Sequence, residues 1–207
     1  MARDQTTAAA VRAAEESTAP SPSGDTVDVV LASSTNGMAG YFFLVPWMII
    51  LLGATLHVQF DRKPNRRTPR RVIELYLVWL MAFGGAWSIF GALGHLGPNS
   101  TDVAADIGYA PSMFQWEVGW GDVVIGVLGL GCVRMRGQWL TAAVVALVFG
   151  YGGDAIGHIM QYVEHDNTEP DNVWAIPSDI AQPLLAAVLL VVYRRLGLRR
   201  DNSPAVA

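Results

Sequence analysis

The sequence predicts an all-α polytopic membrane protein, a bundle of five transmembrane helices with the N-terminus outside and the C-terminus cytoplasmic. Three observations predict it. Of the 207 residues, 52% are hydrophobic and 15% are charged, whereas a soluble domain carries about 25% charged residues. The apolar residues form blocks of about 20, the length of a helix that spans hydrocarbon. Apart from Arg3 and Arg12 near the N-terminus, the basic residues lie in alternate connections between these blocks and after the last block.

The chain divides into a tail, a bundle and a second tail. Residues 1–37 are rich in Ala, Ser, Thr, Pro and Asp and lack a large apolar face, which predicts a disordered N-terminal tail. The bundle is expected over 38–196, and 197–207 form a cytoplasmic C-terminal tail. The five predicted spans are 40–60, 72–96, 113–133, 139–163 and 177–193. The last opens at Pro177, because proline suits the first turn of a helix.

The orientation follows from the Lys and Arg residues of the short connections. Twelve of the 14 basic residues lie in 61–71, in 134–136 and in 194–200, whereas 97–112 and 164–176 contain none. Cytoplasmic loops carry the excess of Lys and Arg, and five crossings place all three basic segments on that side. A four-span version, in which the first or the fifth segment lies in the membrane interface, is the main alternative. The 14 basic residues include a single lysine; this arginine bias is typical of bacteria and predicts the inner (plasma) membrane.

Most of the ionisable residues within the apolar spans lie in the outer half of the bilayer. Asp154 and His158 lie inside the fourth span, in "GYGGDAIGHIM", where a charged group costs roughly 2.5–3.5 kcal/mol on insertion scales. Four residues apart, they share one helix face with Tyr151 and Gln161. Counted from the outer ends of the spans, acids and imidazoles from four helices gather in the outer half of the bilayer.

The other spans present matching polar faces. In the second span the stripe contains Gly84, Ser88, Gly91 and His95. In the third span Gln115 and Asp122 share a face, whereas Glu117 points roughly 140° away from Asp122 at about 100° per residue. The fifth span contributes Asp179 and Gln182.

Small residues on the same faces predict close helix packing. Gly153 and Gly157 repeat the small-xxx-small spacing on the fourth span, and such residues let helix backbones approach each other in membranes. The second, third and fourth spans are therefore expected to pack with these faces inward.

A buried Asp/His/Glu site, metal-binding or redox-related, is the working hypothesis for these residues. Imidazole and carboxylate ligands suit iron, zinc or manganese, and helix bundles build such sites from facing side chains. Haem is a weaker form of the hypothesis, with His95 and His158 as axial ligands. The candidate ligands are Asp154, His158, His95, Asp122 and Glu117. The supporting polar network contains Gln115, Tyr151, Gln161, Asp179, Gln182 and Ser88.

Other functions stay open. Chains of Asp, Glu and His within a membrane also suit a small transporter or a proton-conducting protein. A hydrogen-bonded polar network can instead only fix helix packing, as in a structural subunit of a larger membrane complex or in a homo-oligomer. No nucleophile elbow, P-loop or dinucleotide fingerprint assigns an enzyme activity. The basic segment 61–71 fits contact with anionic lipid of the bilayer, so no nucleic-acid partner is expected.

Several stretches carry a family resemblance. They are "RRVIELYLVWLMAFGGAWSIFGALGH", "ADIGYAPSMFQWEVGWGDVVIGVLG", "FGYGGDAIGH" and "PSDIAQPLL". Over about residues 70–195 the chain resembles a family of small bacterial multi-span membrane proteins catalogued as a domain of unknown function. Its layout is also remotely similar to that of the DoxX-type membrane proteins, which are associated with oxidation chemistry. The resemblance implies a helical membrane bundle and no particular mechanism.

Overall fold

The protein is helical throughout the part of the chain that the structure describes. A computed structural model describes residues 24–201, with side chains over 40–198. Within this range there are helices and no strand. The helices are α1 (Gly24–Phe60), α2 (Pro69–Leu96), α3 (Ser100–Asp106), α4 (Phe114–Gly131), α5 (Gln138–Glu164) and α6 (Pro170–Asp201). The chain divides into two units between Met38 and Ala39, and the features below lie in the second.

Only part of each predicted tail lies within the described residues. The N-terminal tail over 1–23 and the end of the C-terminal tail over 202–207 lie outside the described residues. Helix α1 begins at Gly24 and so includes residues 24–37 of the predicted tail, and α6 continues through 197–201.

Four helices are long and apolar enough to cross a membrane. These segments are Gly40–Phe60, Pro69–Leu96, Gln138–Glu164 and Pro170–Leu198. They correspond to the first, second, fourth and fifth predicted spans. The third predicted span forms helix α4, which is not among them, because Glu117, Asp122 and several glycines lower its apolar character.

Local sequence explains where the helices begin. Before α2, the Thr68 hydroxyl accepts a hydrogen bond from the Arg71 amide at 3.3 Å, and Pro69 occupies the first turn. Helix α6 begins at Pro170, seven residues before the predicted start at Pro177, which lies inside the helix. The prediction was wrong here because the first turns of α6 are polar and an apolar-run criterion does not register them.

Large apolar side chains cover the outside of the bundle. Phe149 is 79% exposed, Leu93 63% and Leu52 61%. Soluble monomers seldom expose contiguous apolar patches larger than a few hundred Å². These surfaces are suited to a lipid bilayer, which stabilises apolar groups that water does not.

Charged side chains join several helix ends at one end of the bundle. The Arg71 Nε donates to the Asp61 carboxylate at 2.8 Å, and Arg71 Nη1 lies 3.1 Å from Glu74. Arg136, in the connection after α4, bonds the other oxygen of Glu74 at 3.0 Å. The hydrogen bond from Arg71 lowers the pKa of Asp61 below its usual range. This network ties the end of α1 and the start of α2 to the end of α4.

The same end contains the start of α5 and the end of α6. Arg194 donates a hydrogen bond to the Thr141 hydroxyl, and the Arg70 guanidinium lies 4.8 Å from the ring centre of Tyr193. We call this end, with its Arg-rich connections, the basic end. Successive long helices therefore run alternately toward and away from it.

An apolar core fills the half of the bundle next to the basic end. Helices α2, α5 and α6 supply fully or nearly fully buried side chains. They are Leu77, Leu80, Met81, Leu140, Val144, Leu147, Ala186 and Leu190. Close packing of such side chains leaves no room for water between them.

Glycines bring α2 and α4 into backbone contact. A Cβ atom on Gly129 would lie 2.3 Å from the Met81 carbonyl oxygen, and one on Gly85 would lie 2.8 Å from the Gly126 carbonyl oxygen. Neither approach is possible for a residue with a side chain. Small residues therefore set the spacing of this helix pair, as is typical of membrane helices.

Candidate functional site

A cavity of about 780 Å³ occupies the half of the bundle away from the basic end. Side chains from α1, α2, α4, α5 and α6 line it, together with the residues around α3. The exposed residues Pro98, Asn99 and His165 lie at its mouth. Trp47, Ile50 and Tyr151 border both the cavity and the apolar core. The cavity thus borders exposed residues at one end and the apolar core at the other.

The cavity wall contains every polar residue singled out from the sequence except Glu117. Those that line it are Ser88, His95, Gln115, Asp122, Tyr151, Asp154, His158, Gln161, Asp179 and Gln182. Glu117 is exposed and lies outside the wall, because it points to a different side of α4 from Asp122.

Two hydrogen-bonded pairs connect α2 to α4 along the wall. The buried Ser88 hydroxyl lies 3.0 Å from the Asp122 carboxyl oxygen Oδ1 and 2.9 Å from the backbone carbonyl oxygen of the same residue. One turn beyond Gly91, His95 Nδ1 lies 2.5 Å from Gln115 Oε1. Because an amide oxygen only accepts, His95 carries a proton on Nδ1. The stripe of α2 therefore faces α4, as its spacing indicates.

Asn172 makes three hydrogen bonds, two of which reach His158. The Asn172 side chain is fully buried, and its Nδ2 donates to the carbonyl oxygens of Asn167 at 3.1 Å and of His158 at 3.4 Å. Its Oδ1 is therefore the acceptor for His158 Nδ1, at 2.7 Å. In the neutral imidazole this arrangement leaves Nε2 without a proton.

His158 and Asp179 face each other at the cavity wall. His158 Nε2 lies 3.9 Å from Asp179 Oδ2, and both side chains are largely buried. The imidazole and the carboxyl group therefore lie close together on the wall, just beyond hydrogen-bond distance.

Asp154 has open space in front of it. The residue is exposed to the cavity, and no hydrogen bond or ion pair joins its carboxyl group to another described side chain. A Cβ atom added at Gly153 or Gly157 would meet nothing within 4 Å. The expectation that these two glycines pack against a neighbouring helix was wrong; they border the cavity instead.

One further polar group faces the cavity without a partner. The Gln182 residue is 9% exposed and makes no hydrogen bond with the described side chains, although its amide lies against Gly84 at the wall. A bound molecule that hydrogen-bonds this amide would be stabilised. The indole Nε1 of Trp87 also lacks a hydrogen-bond partner among the described residues, but it is fully buried and closed off from the cavity.

Aromatic rings form much of the remaining wall. The rings of Phe42 and Trp87 are 5.1 Å apart, and those of Trp87 and Phe90 are 5.2 Å apart. Tyr109 lies near His158, with ring centres 6.2 Å apart. Burial raises the pKa of the Tyr109 hydroxyl, and the nearby Asp154 carboxylate raises it further. The cavity therefore combines an aromatic surface with carboxyl groups.

The wall is acidic overall. It contains five aspartates, namely Asp106, Asp122, Asp154, Asp171 and Asp179. Among the described residues that line the cavity, none is Lys or Arg. Three histidines, His95, His158 and His165, are the only lining side chains in this described set that can become cationic.

The predicted metal ligands do not converge on one point. Among the described residues, no three His, Cys, Asp or Glu side chains lie close enough together to hold a metal ion. His95 and His158 are each engaged with an amide, and Asp122 is bonded to Ser88. The residue types suit a metal, but their spacing around the cavity does not bring them to a common centre.

Sequence reasoning missed several residues of the wall. Asn172 was assigned to an outer loop, because the start of α6 was placed seven residues too late. The "EPDN" segment carries the signal that would have found it, a proline that opens a helix directly after polar residues. The aromatic wall was missed because contacts between distant helices cannot be read from the spacing within one.

The fold and the cavity define a multi-pass membrane protein with a polar, aromatic-lined pocket. Residues 40–199, more than half of the chain, match the family model described as "Family of unknown function (DUF6790)". The chain therefore belongs to this family, and the resemblance to a family of unknown function is confirmed. Comparison with curated proteins and with solved structures gives no match, and nothing in these comparisons supports the likeness to DoxX-type proteins.

Proposed function

We propose that this protein is a small transporter that binds its solute in the cavity. The observation that carries the proposal is a cavity that borders exposed residues at one end and the packed apolar core at the other. A carrier caught in one state of alternating access has this form, whereas a pore would be open through its length. Its volume of about 780 Å³ lies within the roughly 300–1,000 Å³ that is typical of small-molecule sites.

The proposal includes a topology of five spans. Helix α4 starts beside the His95 end of α2 and finishes beside Glu74 at its other end, which supports a full crossing despite its lower apolar character. The Arg-rich connections favour a cytoplasmic basic end. The N-terminus is then outside, the C-terminus is cytoplasmic, and the cavity opens toward the outer face of a bacterial inner membrane.

The position of the acids and imidazoles supports a carrier more than a proton channel. They line the cavity wall, whereas no carboxyl group or imidazole lies among the described side chains of the apolar core. A chain of such groups across the whole bundle, as a proton channel needs, is therefore not seen among the described residues. The metal-binding interpretation has less support, since no three ligands meet among the described residues.

Cysteine labelling from both sides of the membrane tests the carrier. Cys132, the single cysteine of the sequence, is replaced by Ala, and Gly153→Cys is introduced where nothing lies within 4 Å. A membrane-impermeant maleimide should label this cysteine in right-side-out vesicles and also in inverted ones, because alternating access exposes the site to each side in turn.

Two control cysteines, one at each end of the bundle, show which side of the membrane the label reaches. Ser112→Cys and Arg66→Cys lie in exposed connections at opposite ends of the bundle and should each be labelled from one side only. If Gly153→Cys is labelled from one side only, as Ser112→Cys is, the protein is not a carrier and a static pocket or a structural subunit is the better account.

A further inference from the structure

We infer that the solute is an organic cation that carries an aromatic or apolar group. The inference rests on the proposed function and names the substrate class of the same cavity. Three features of the wall support it: an acidic lining without Lys or Arg among the described residues, an aromatic surface and a buried amide without a hydrogen-bond partner.

The aspartates of the cavity wall favour a positively charged ligand. Five aspartates and no Lys or Arg line the cavity among the described residues. Ser88 bonds Asp122, and Asp179 faces His158, whereas Asp154 faces open space. Opposite charges attract strongly at low dielectric, so Asp154 is the group best placed to balance a bound cation, and an anion would be repelled.

The aromatic rings of the wall favour a ligand with an apolar or aromatic group. Phe42, Trp87 and Phe90 form a continuous ring cluster at the wall. The faces of such rings attract ammonium and related cations and also bury the apolar part of a ligand. A small inorganic cation would leave this surface unused, and no three described ligands are spaced for one.

An unpartnered amide gives independent evidence for a ligand. The Gln182 side chain is nine-tenths buried, faces the cavity and hydrogen-bonds none of the described side chains. Buried polar groups are nearly always hydrogen-bonded in native proteins. A cation with an N–H group or a hydroxyl group would satisfy the Gln182 oxygen while its charge lies near Asp154.

Two ions of matched shape and opposite charge test the inference. Equilibrium binding of tetraphenylphosphonium and of tetraphenylborate is measured on the purified full-length protein in detergent. Tetraphenylphosphonium should bind saturably at one ion per chain, and tetraphenylborate should neither bind at the site nor displace it. Equal binding of the two ions, or saturable binding of tetraphenylborate alone, overturns the inference without any variant.

Two carboxyl variants test whether Asp154 is the residue that balances the bound cation. Asp154→Asn should weaken tetraphenylphosphonium binding by about tenfold or more, since it removes the facing charge. Glu117→Gln removes the same charge from an exposed position outside the cavity and should leave the affinity unchanged. Equal affinity of Asp154→Asn and wild type overturns the assignment.

The carrier proposal and the cation inference can each be refuted without the other. If neither ion binds but Gly153→Cys is labelled from both sides, the carrier stands and the cation class is wrong. If tetraphenylphosphonium binds and the labelling is one-sided, the protein holds a cation but does not carry it across.

Discussion

Replacing Gly129 by alanine should separate α2 from α4 and destabilise the protein. The added Cβ would lie 2.3 Å from the Met81 carbonyl oxygen, whereas ordinary contacts of this kind begin at about 3.4 Å. The oxygen belongs to helix backbone and the Cβ is fixed to it, so no flexible side chain can move aside. The helices must part by about 1 Å, and overpacking of this kind costs about 1–3 kcal/mol.

Gly121 provides the matched control on the same helix. A Cβ atom there meets nothing within 4 Å, and alanine favours a helix by about 1 kcal/mol relative to glycine. Circular dichroism during thermal unfolding in detergent should therefore rank Gly129→Ala below wild type and Gly121→Ala at or above it. Equal midpoints for the two variants would show that α4 does not pack against α2 as closely as described, and the five-span arrangement would lose its main support.

Two further predictions concern the ends of the bundle. Asp61→Asn removes a carboxylate whose pKa is lowered, first by the hydrogen bond from Arg71. The wild type should therefore exceed the variant in free energy of unfolding above about pH 4, the ordinary pKa of aspartate. The advantage should be lost as the pH falls through the lowered pKa; a difference that grows in acid would refute the pairing. At the other end, Asn172→Leu removes the hydrogen-bond partner of His158 Nδ1 and the donor to the Asn167 carbonyl oxygen. This change should cost about 1–3 kcal/mol in a detergent unfolding titration, whereas Val173→Leu at the exposed neighbouring position should cost almost nothing. Similar losses for the two variants would mean that the Asn172 hydrogen bonds do not hold the two helices together.

Periodicity within single helices predicted much of the wall. The stripe of Ser88 and His95 on α2 meets Asp122 and Gln115 of α4, because polar side chains on membrane helices turn toward each other and away from lipid. The basic segments likewise predicted which helix ends lie together, as the contacts of Arg71, Glu74 and Arg136 show. The count of five spans and the sidedness remain predictions.

Spacing alone could not distinguish contact from open space. Gly153 and Gly157 have the small-xxx-small pattern of a packed interface, yet they border a cavity, while the closest backbone contact involves Gly85, Gly126 and Gly129. The same limit applies to the metal hypothesis. Residue types indicate which ions a site prefers, but whether three ligands reach one point depends on helix separations that the sequence does not state.

Two-sided labelling of Gly153→Cys tests the central claim most directly, because it measures access to the cavity itself and requires no knowledge of the solute. We expect modification in right-side-out and in inverted vesicles, with Ser112→Cys and Arg66→Cys each modified from a single side. Modification of Gly153→Cys from one face alone, with both controls behaving as expected, would contradict the account.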